Sequence, residues 1–251
     1  MIKMGNKLVG TTSVKLGVYE TSTDTQLIGM VGDKKEFEDG RVFRLCKNGA
    51  GALVAGILVQ SIVSLTSDDS IEIATSQGIG DYEVNVTADA TSVHAVHSLA
   101  GGYLVMSDTA GDIGTFYKIK DNEALVSGSN GIITLYDPLT TAIVAGTNEC
   151  SFCVNPYSGV IKDANTAQLV GVPLIAVPAS TATVPVFFWA LENGYGPATA
   201  TAVAISAGDY LEHSAGSVAL ITSGDIEGLV AVAVTAFAAN EAGIVKYVAM
   251  G

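Results

Sequence analysis

The chain has 251 residues, 49% of them apolar and only 15% charged, with 25 acids against 12 bases and a formal net charge of −13. That length and apolar content suit one large all-β domain or two small ones around a sizeable core, and exclude a disordered chain. Arginine occurs only at Arg41 and Arg44, which argues against nucleic-acid binding, because affinity for phosphates comes from clustered Lys and Arg.

In chain order, the start MIKMGNKLVG lacks the apolar stretch of a signal peptide, and no segment reaches the roughly 18 apolar residues of a membrane helix. Synthesis and use without translocation, in a reducing cytoplasm, is the expectation, with no membrane partner. Cys46, Cys150 and Cys153 make an odd number, which does not suggest a secreted disulfide framework. Residues 1–30 alternate short β-prone runs with Gly, Thr and Asp, and are read as an extended N-terminal arm that grips neighbouring subunits. Asp33 to Ser61 begins polar and runs into small residues. Ala50 to Ala55 reads as a short helix or as a loop leading to a strand, since the glycines there disfavour helix by about 1 kcal/mol each.

From Ser70 to Val86 two period-two stretches, Ile71 and Ile73, then Tyr82, Val84 and Val86, flank Gly78 and Gly80 and predict a β-hairpin. Further strands are predicted at Tyr103–Ser107, Gly114–Lys120, Ile132–Leu135, Leu169–Val177, Val184–Leu191, Val218–Thr222 and Leu229–Ala236. Pro173, Pro178 and Pro185 sit near the ends of their runs, where a missing donor is tolerated. The runs AGILVQS, GGYLVMSDTAGDIG and AGDYLEHSAGSVA, starting at Ala55, Gly101 and Ala207, share a Gly turn followed by a short apolar strand. They raise internal duplication, open against chance similarity among Gly-rich β segments. The predicted fold is all-β: small barrel or sandwich lobes with few short helices, divided as residues 1–30 (arm), 31–150 (first lobe) and 151–251 (second lobe).

Three phrases, DGRVFRLCKNGAGALVAGILVQS, GTFYKIKDNEALVSGSNGIITLYDPL and TVPVFFWALENGYGPATA, cover Asp39 to Ala200 with gaps. They resemble characteristic segments of tailed-bacteriophage virion proteins that decorate or cement the capsid. The resemblance implies a structural protein on the outer surface of the virion, with the major capsid protein and neighbouring copies as partners. By analogy with cement proteins at three-subunit junctions, it also implies a homotrimer. These phrases are packing and turn motifs without chemistry of their own.

The residues that offer chemistry are few. CSFC at Cys150–Cys153 with HAVH at His94–His97 supplies four zinc-type ligands, but residues three apart on a strand point to opposite faces. No metal and no cofactor is expected. CSFC is followed by a turn-rich stretch rather than the helix N-terminus of a redox motif. No G-x-S-x-G elbow accompanies His94, His97 or His213, and Asp68-Asp69 lacks calcium-loop spacing. Catalytic residues are therefore not assigned and the chain is read as a non-enzyme. A glycan-binding or glycan-cleaving surface module is the alternative, though it is thinly supplied with a single Trp. Arg41, Phe43 and Arg44 are the candidate interface anchors, since Arg and aromatics are enriched at interface cores. A local ion pair of these arginines with Glu36, Glu38 or Asp39, beside a core Phe, is the equal alternative.

Overall fold

A computed structural model of the chain describes residues 16–24, 29–107, 113–221 and 228–248. It is all-β, with sixteen strands and one short 3-10 turn, Thr66–Asp68, among the described residues. Two compact units divide the chain: unit 1 holds Met1–Ile62 and Pro156–Gly251, and unit 2 is Val63–Asn155.

Unit 1 contains β1 (Lys34–Glu36), β2 (Val42–Asn48), β3 (Val59–Gln60), β10 (Ser158–Lys162), β11 (Leu169–Pro173), β12 (Phe187–Thr199), β13 (Tyr210–Ser214), β14 (Ser217–Leu220), β15 (Leu229–Ala233) and β16 (Ala242–Tyr247). Its strand order is β1-β2-β10-β3-β11-β12-β16-β15-β13-β14, and an added β2–β12 pairing closes β2, β10, β3, β11 and β12 into a five-stranded barrel. Alternation decides what fills it. Cys46, Phe188 and Ala190 lie in one core cluster with Val59, Val160 and Val170. The intervening Phe43, Leu45, Trp189 and Leu191 belong to a second cluster with Leu211, Val218, Val245 and Tyr247.

The thirteen-residue β12 serves both clusters. Its first half pairs with β2 from Phe187 to Asn193, and its second half pairs with β16 from Gly194 to Thr199. The change of partner falls at Gly194, where φ is +101° and an added Cβ would lie 2.9 Å from the Arg41 Cα. Only glycine adopts that backbone without strain. From there β16, β15, β13 and β14 curl round, and an isolated bridge joins Val218 to Ala200 just past β12.

Unit 2 holds β4 (Ile71–Glu72), β5 (Glu83–Thr87), β6 (Tyr103–Met106), β7 (Phe116–Asn122), β8 (Asn130–Leu135) and β9 (Glu149–Cys153). Their order is β4-β9-β6-β7-β8-β5, and the Ile73–Val86 bridge brings the two ends together into a nearly closed six-stranded barrel. Ile73, Val84, Val86, Leu104, Met106, Ile119, Ile133 and Leu135 alternate inward, buried to 1% exposure or less.

Three expectations are revised. The boundary at residue 150 fails because β2 and β3 pair with β10, β11 and β12; the second unit is an insertion in the first. The predicted 70–86 hairpin is instead a seam: β4 pairs with β9 and β5 with β8, and one bridge joins the two stretches. Of the expected arm, residues 1–15 and 25–28 lie outside the described residues, whereas residues 16–24 pack on unit 1. Leu16 and Val18 join its core, and Ser22 bridges Phe187 through two backbone hydrogen bonds.

Candidate functional site

The three sequence-predicted anchors are committed within unit 1. Phe43 is fully buried in the core, packed edge-on to Phe37, so it is not available to another chain. Arg41 pairs with Asp39 at 2.8 Å and lies over the Phe37 and Phe43 rings. Arg44 Nε donates to both Glu192 oxygens at 3.0 Å, and its Nη1 donates to the Gly32 carbonyl. This is the local alternative, an ion pair beside a core Phe, with the addition of Glu192 from 148 residues away.

The Arg44–Glu192 pair takes in Tyr157, whose hydroxyl donates to Glu192 at 3.4 Å and whose ring lies under the guanidinium. Burial is the main cause that pushes the Tyr157 phenol up to about 12, partly opposed by Arg44. A neighbouring polar staple holds the segment before β1. Lys35 Nζ and Trp189 Nε1 both donate to the Leu16 carbonyl, at 2.7 and 2.9 Å, with the ammonium over the indole. Desolvation lowers the Lys35 pKa, with Glu20 pulling the other way.

In unit 2 the buried Asp68 accepts from Ser92 Oγ at 2.6 Å and faces His94 Nε2 at 2.9 Å. Both partners converge on the same carboxylate oxygen, so Ser92 and His94 are not hydrogen-bonded in the order that activates a serine nucleophile. The four residues of CSFC and HAVH do not converge. Cys150 points into the core and Cys153 to the opposite face, while His94 turns to Asp68 and His97 to Asp121. No group of three or more His, Cys, Asp or Glu side chains is placed to hold a metal among the described residues. His213 faces the buried Asp163, which also accepts from the Gly216 N–H. These clusters tie loops together inside their own units.

What the sequence reading missed is a turn found seven times among the described residues. Each begins at a residue in an isolated antiparallel bridge: Leu53, Gln77, His94, Leu125, Ile143, Ile205 and Phe237. Three residues on, the chain takes positive φ at Gly56, Gly80, His97, Gly128, Gly146, Gly208 and Asn240. In every copy the amide of that residue donates to a backbone carbonyl of a distant segment, for instance Gly56 to Pro173 and Gly146 to Ile73. The spelling Leu-Val-Ala-Gly, Leu-Val-Ser-Gly, Ile-Val-Ala-Gly, Ile-Ser-Ala-Gly was the available signal.

Five of these turns carry a branched apolar residue at the tip: Val54, Ile79, Val96, Val126 and Val144. Their exposures run from 50% at Val144 to 72% at Ile79. Turn tips normally carry Gly, Asn, Asp, Ser or Pro. Val93, at 54%, lies beside Val126 in the register set by the His94–Leu125 bridge. Comparison of the chain with protein-family models, curated proteins and solved structures gave no match.

Proposed function

We propose that the chain is a structural subunit of a tailed-bacteriophage particle, decorating or cementing the outer capsid by non-covalent contacts with the major capsid protein and with neighbouring copies. The observation that carries this is the set of exposed Val and Ile side chains at the tips of a repeated, rigidly bonded turn. An apolar side chain at a turn tip gains nothing for its own subunit and is stabilised when another surface removes it from water, at about 25 cal/mol per Å². The turns are suited to contact because their backbones are already held, so little ordering entropy is lost on docking. The resemblance of the β2, β7–β8 and β12 phrases to virion proteins supports the same reading, as does the acidic surface expected of an outward-facing subunit.

Purified chain mixed with particles that lack it should sediment with them and raise the temperature at which the capsids open. Aspartate at Val54, Val126 and Val144 together should leave the fold intact and abolish co-sedimentation. A chain that remains in the supernatant contradicts the proposal. A trimer is the proposed assembly state. A monomer in solution at micromolar concentration, together with isolated single copies on the particle, would refute that part.

A further inference from the structure

A pocket of about 390 Å³ opens on unit 2, lined by Gln77, Asp81, Tyr82, Glu83, Asn85 and Ile132. Its polar wall carries two carboxylates, Asp81 and Glu83, and the amides of Gln77 and Asn85. The Gln77 Oε1 and Asn85 Oδ1 atoms are buried and have no hydrogen-bond partner among the described residues. Native proteins leave few such atoms, and one at a pocket wall asks for a donor from outside. Asn85 Nδ2 already donates to Thr75 Oγ1 at 3.3 Å, so its oxygen is the end left over. Asp81 is fixed in the wall by the Gly78 N–H, which donates to its Oδ2 at 2.7 Å. Neither Asp81 nor Glu83 has an ion pair among the described residues.

The ligand chemistry follows from this lining. Two carboxylates and two unpartnered amide oxygens favour a cation carrying several N–H donors. The half-exposed Tyr82 ring offers such a cation a flat face. A guanidinium meets these demands together, since its planar fork reaches separate acceptors while it stacks on an aromatic ring. An ammonium presents one compact point of charge. We infer that this pocket receives an arginine side chain of a partner protein chain. The partner's identity as a capsid component rests on the proposed function, whereas the pocket's preference for guanidinium does not. On binding, a turn of each terminal amide about a soft torsion presents the two shielded oxygens to the incoming N–H groups, and at Asn85 it gives up the 3.3 Å bond from Nδ2 to Thr75 Oγ1.

The test uses the full chain and follows the side-chain amide NMR signals of Gln77 and Asn85. The probes are Nα-acetyl-arginine amide, Nα-acetyl-lysine amide and methyl glucoside. Saturable shifts with the arginine probe are expected, weaker ones with lysine and none with the glucoside. Glu83 is exposed, so Glu83→Gln should fold normally and weaken arginine binding roughly fivefold, and added salt should weaken it in the wild type. No saturation with arginine, indifference to Glu83→Gln, or equal saturation by the glucoside would overturn the inference. A chain that joins particles yet ignores the arginine probe sinks the pocket alone. One that binds arginine yet never joins particles sinks the assembly reading and leaves the pocket standing.

Discussion

Unit 1 and unit 2 are both built from short strands curled into barrels, but they are held by different means. Unit 1 joins strands from the two ends of the chain: β2 meets β12 across some 145 residues, and its two core clusters hold Phe43, Trp189 and Tyr247 in one and Phe188 in the other. Unit 2 is one continuous segment whose core is mainly Val, Ile and Leu with Tyr117 and Phe152. The first places its largest buried side chains on three strands, β2, β12 and β16, with Phe188 and Trp189 side by side on the long β12. The second relies on many small contacts, so the same chain contains a fragile keystone and a more even packing.

The largest effect should come from the keystone. Trp189→Ala removes the biggest fully buried side chain and the indole N–H that holds the Leu16 carbonyl. The expected cost is about 3–5 kcal/mol. In hydrogen exchange this should strip protection from β2 and β12 while β5 and β8 of unit 2 keep theirs; loss of protection in all four strands together would break the comparison.

Unit 2 should be most sensitive to backbone crowding. At Gly102 an added Cβ would lie 2.2 Å from the Cys153 carbonyl oxygen and 2.9 Å from that of Leu99, and neither can swing aside as a side chain would. Gly102→Ala is expected to cost about 1–3 kcal/mol. Denaturant unfolding should show a lower midpoint for unit 2, and an unchanged midpoint would show the strands freer to separate than their register implies.

A comparable but smaller loss should follow Asp68→Ala, which leaves Ser92 and His94 buried without their shared acceptor. The expected cost is about 1–3 kcal/mol, read as a lower melting temperature. At the small end stands the exposed His97–Asp121 pair. The hydrogen bond from His97 is the main cause holding the Asp121 pKa below its ordinary 3.8. A depressed carboxylate pKa stabilises the fold above that ordinary value, and the contribution is lost as pH falls through the folded one. Asp121→Asn should therefore change stability by less than about 0.5 kcal/mol at neutral pH, and the difference should vanish as pH falls through the folded Asp121 pKa. A constant difference across that range would mean that the pair is not what the substitution disturbs.

The fold class was legible because alternation is local. Ile71, Ile73, Val84 and Val86 face the core as the period-two pattern requires, although Tyr82 of the same pattern is exposed. Partners were not legible, because pairing depends on distant segments. The Gln77–Gly80 turn looks like the loop of a hairpin, yet its backbone bonds to Ile143 and Leu139. The inserted unit was hidden because composition does not change at Val63 or Asn155. The second half of β12 was hidden by Gly194, Gly196 and Pro197, which read as strand breakers, although Gly194 marks the change of partner and all three pair with β16. For the site, Arg41, Phe43 and Arg44 are residue types that suit an interface and a subunit's own core alike. An arginine beside a buried aromatic serves a subunit's own core as well as an interface, and the deciding residue, Glu192, lies far along the chain. Apolar turn tips were readable letter by letter, but their exposure depends on the seven-fold recurrence of one backbone geometry.

The claim that these tips are contact points is tested most directly by locating the chain on the particle by cryo-electron microscopy. The account predicts density for both units on the outer capsid, with Val54, Val126 and Val144 against the major capsid protein or a neighbouring copy. Particles without the chain, or particles in which those three side chains all face solvent, would contradict it.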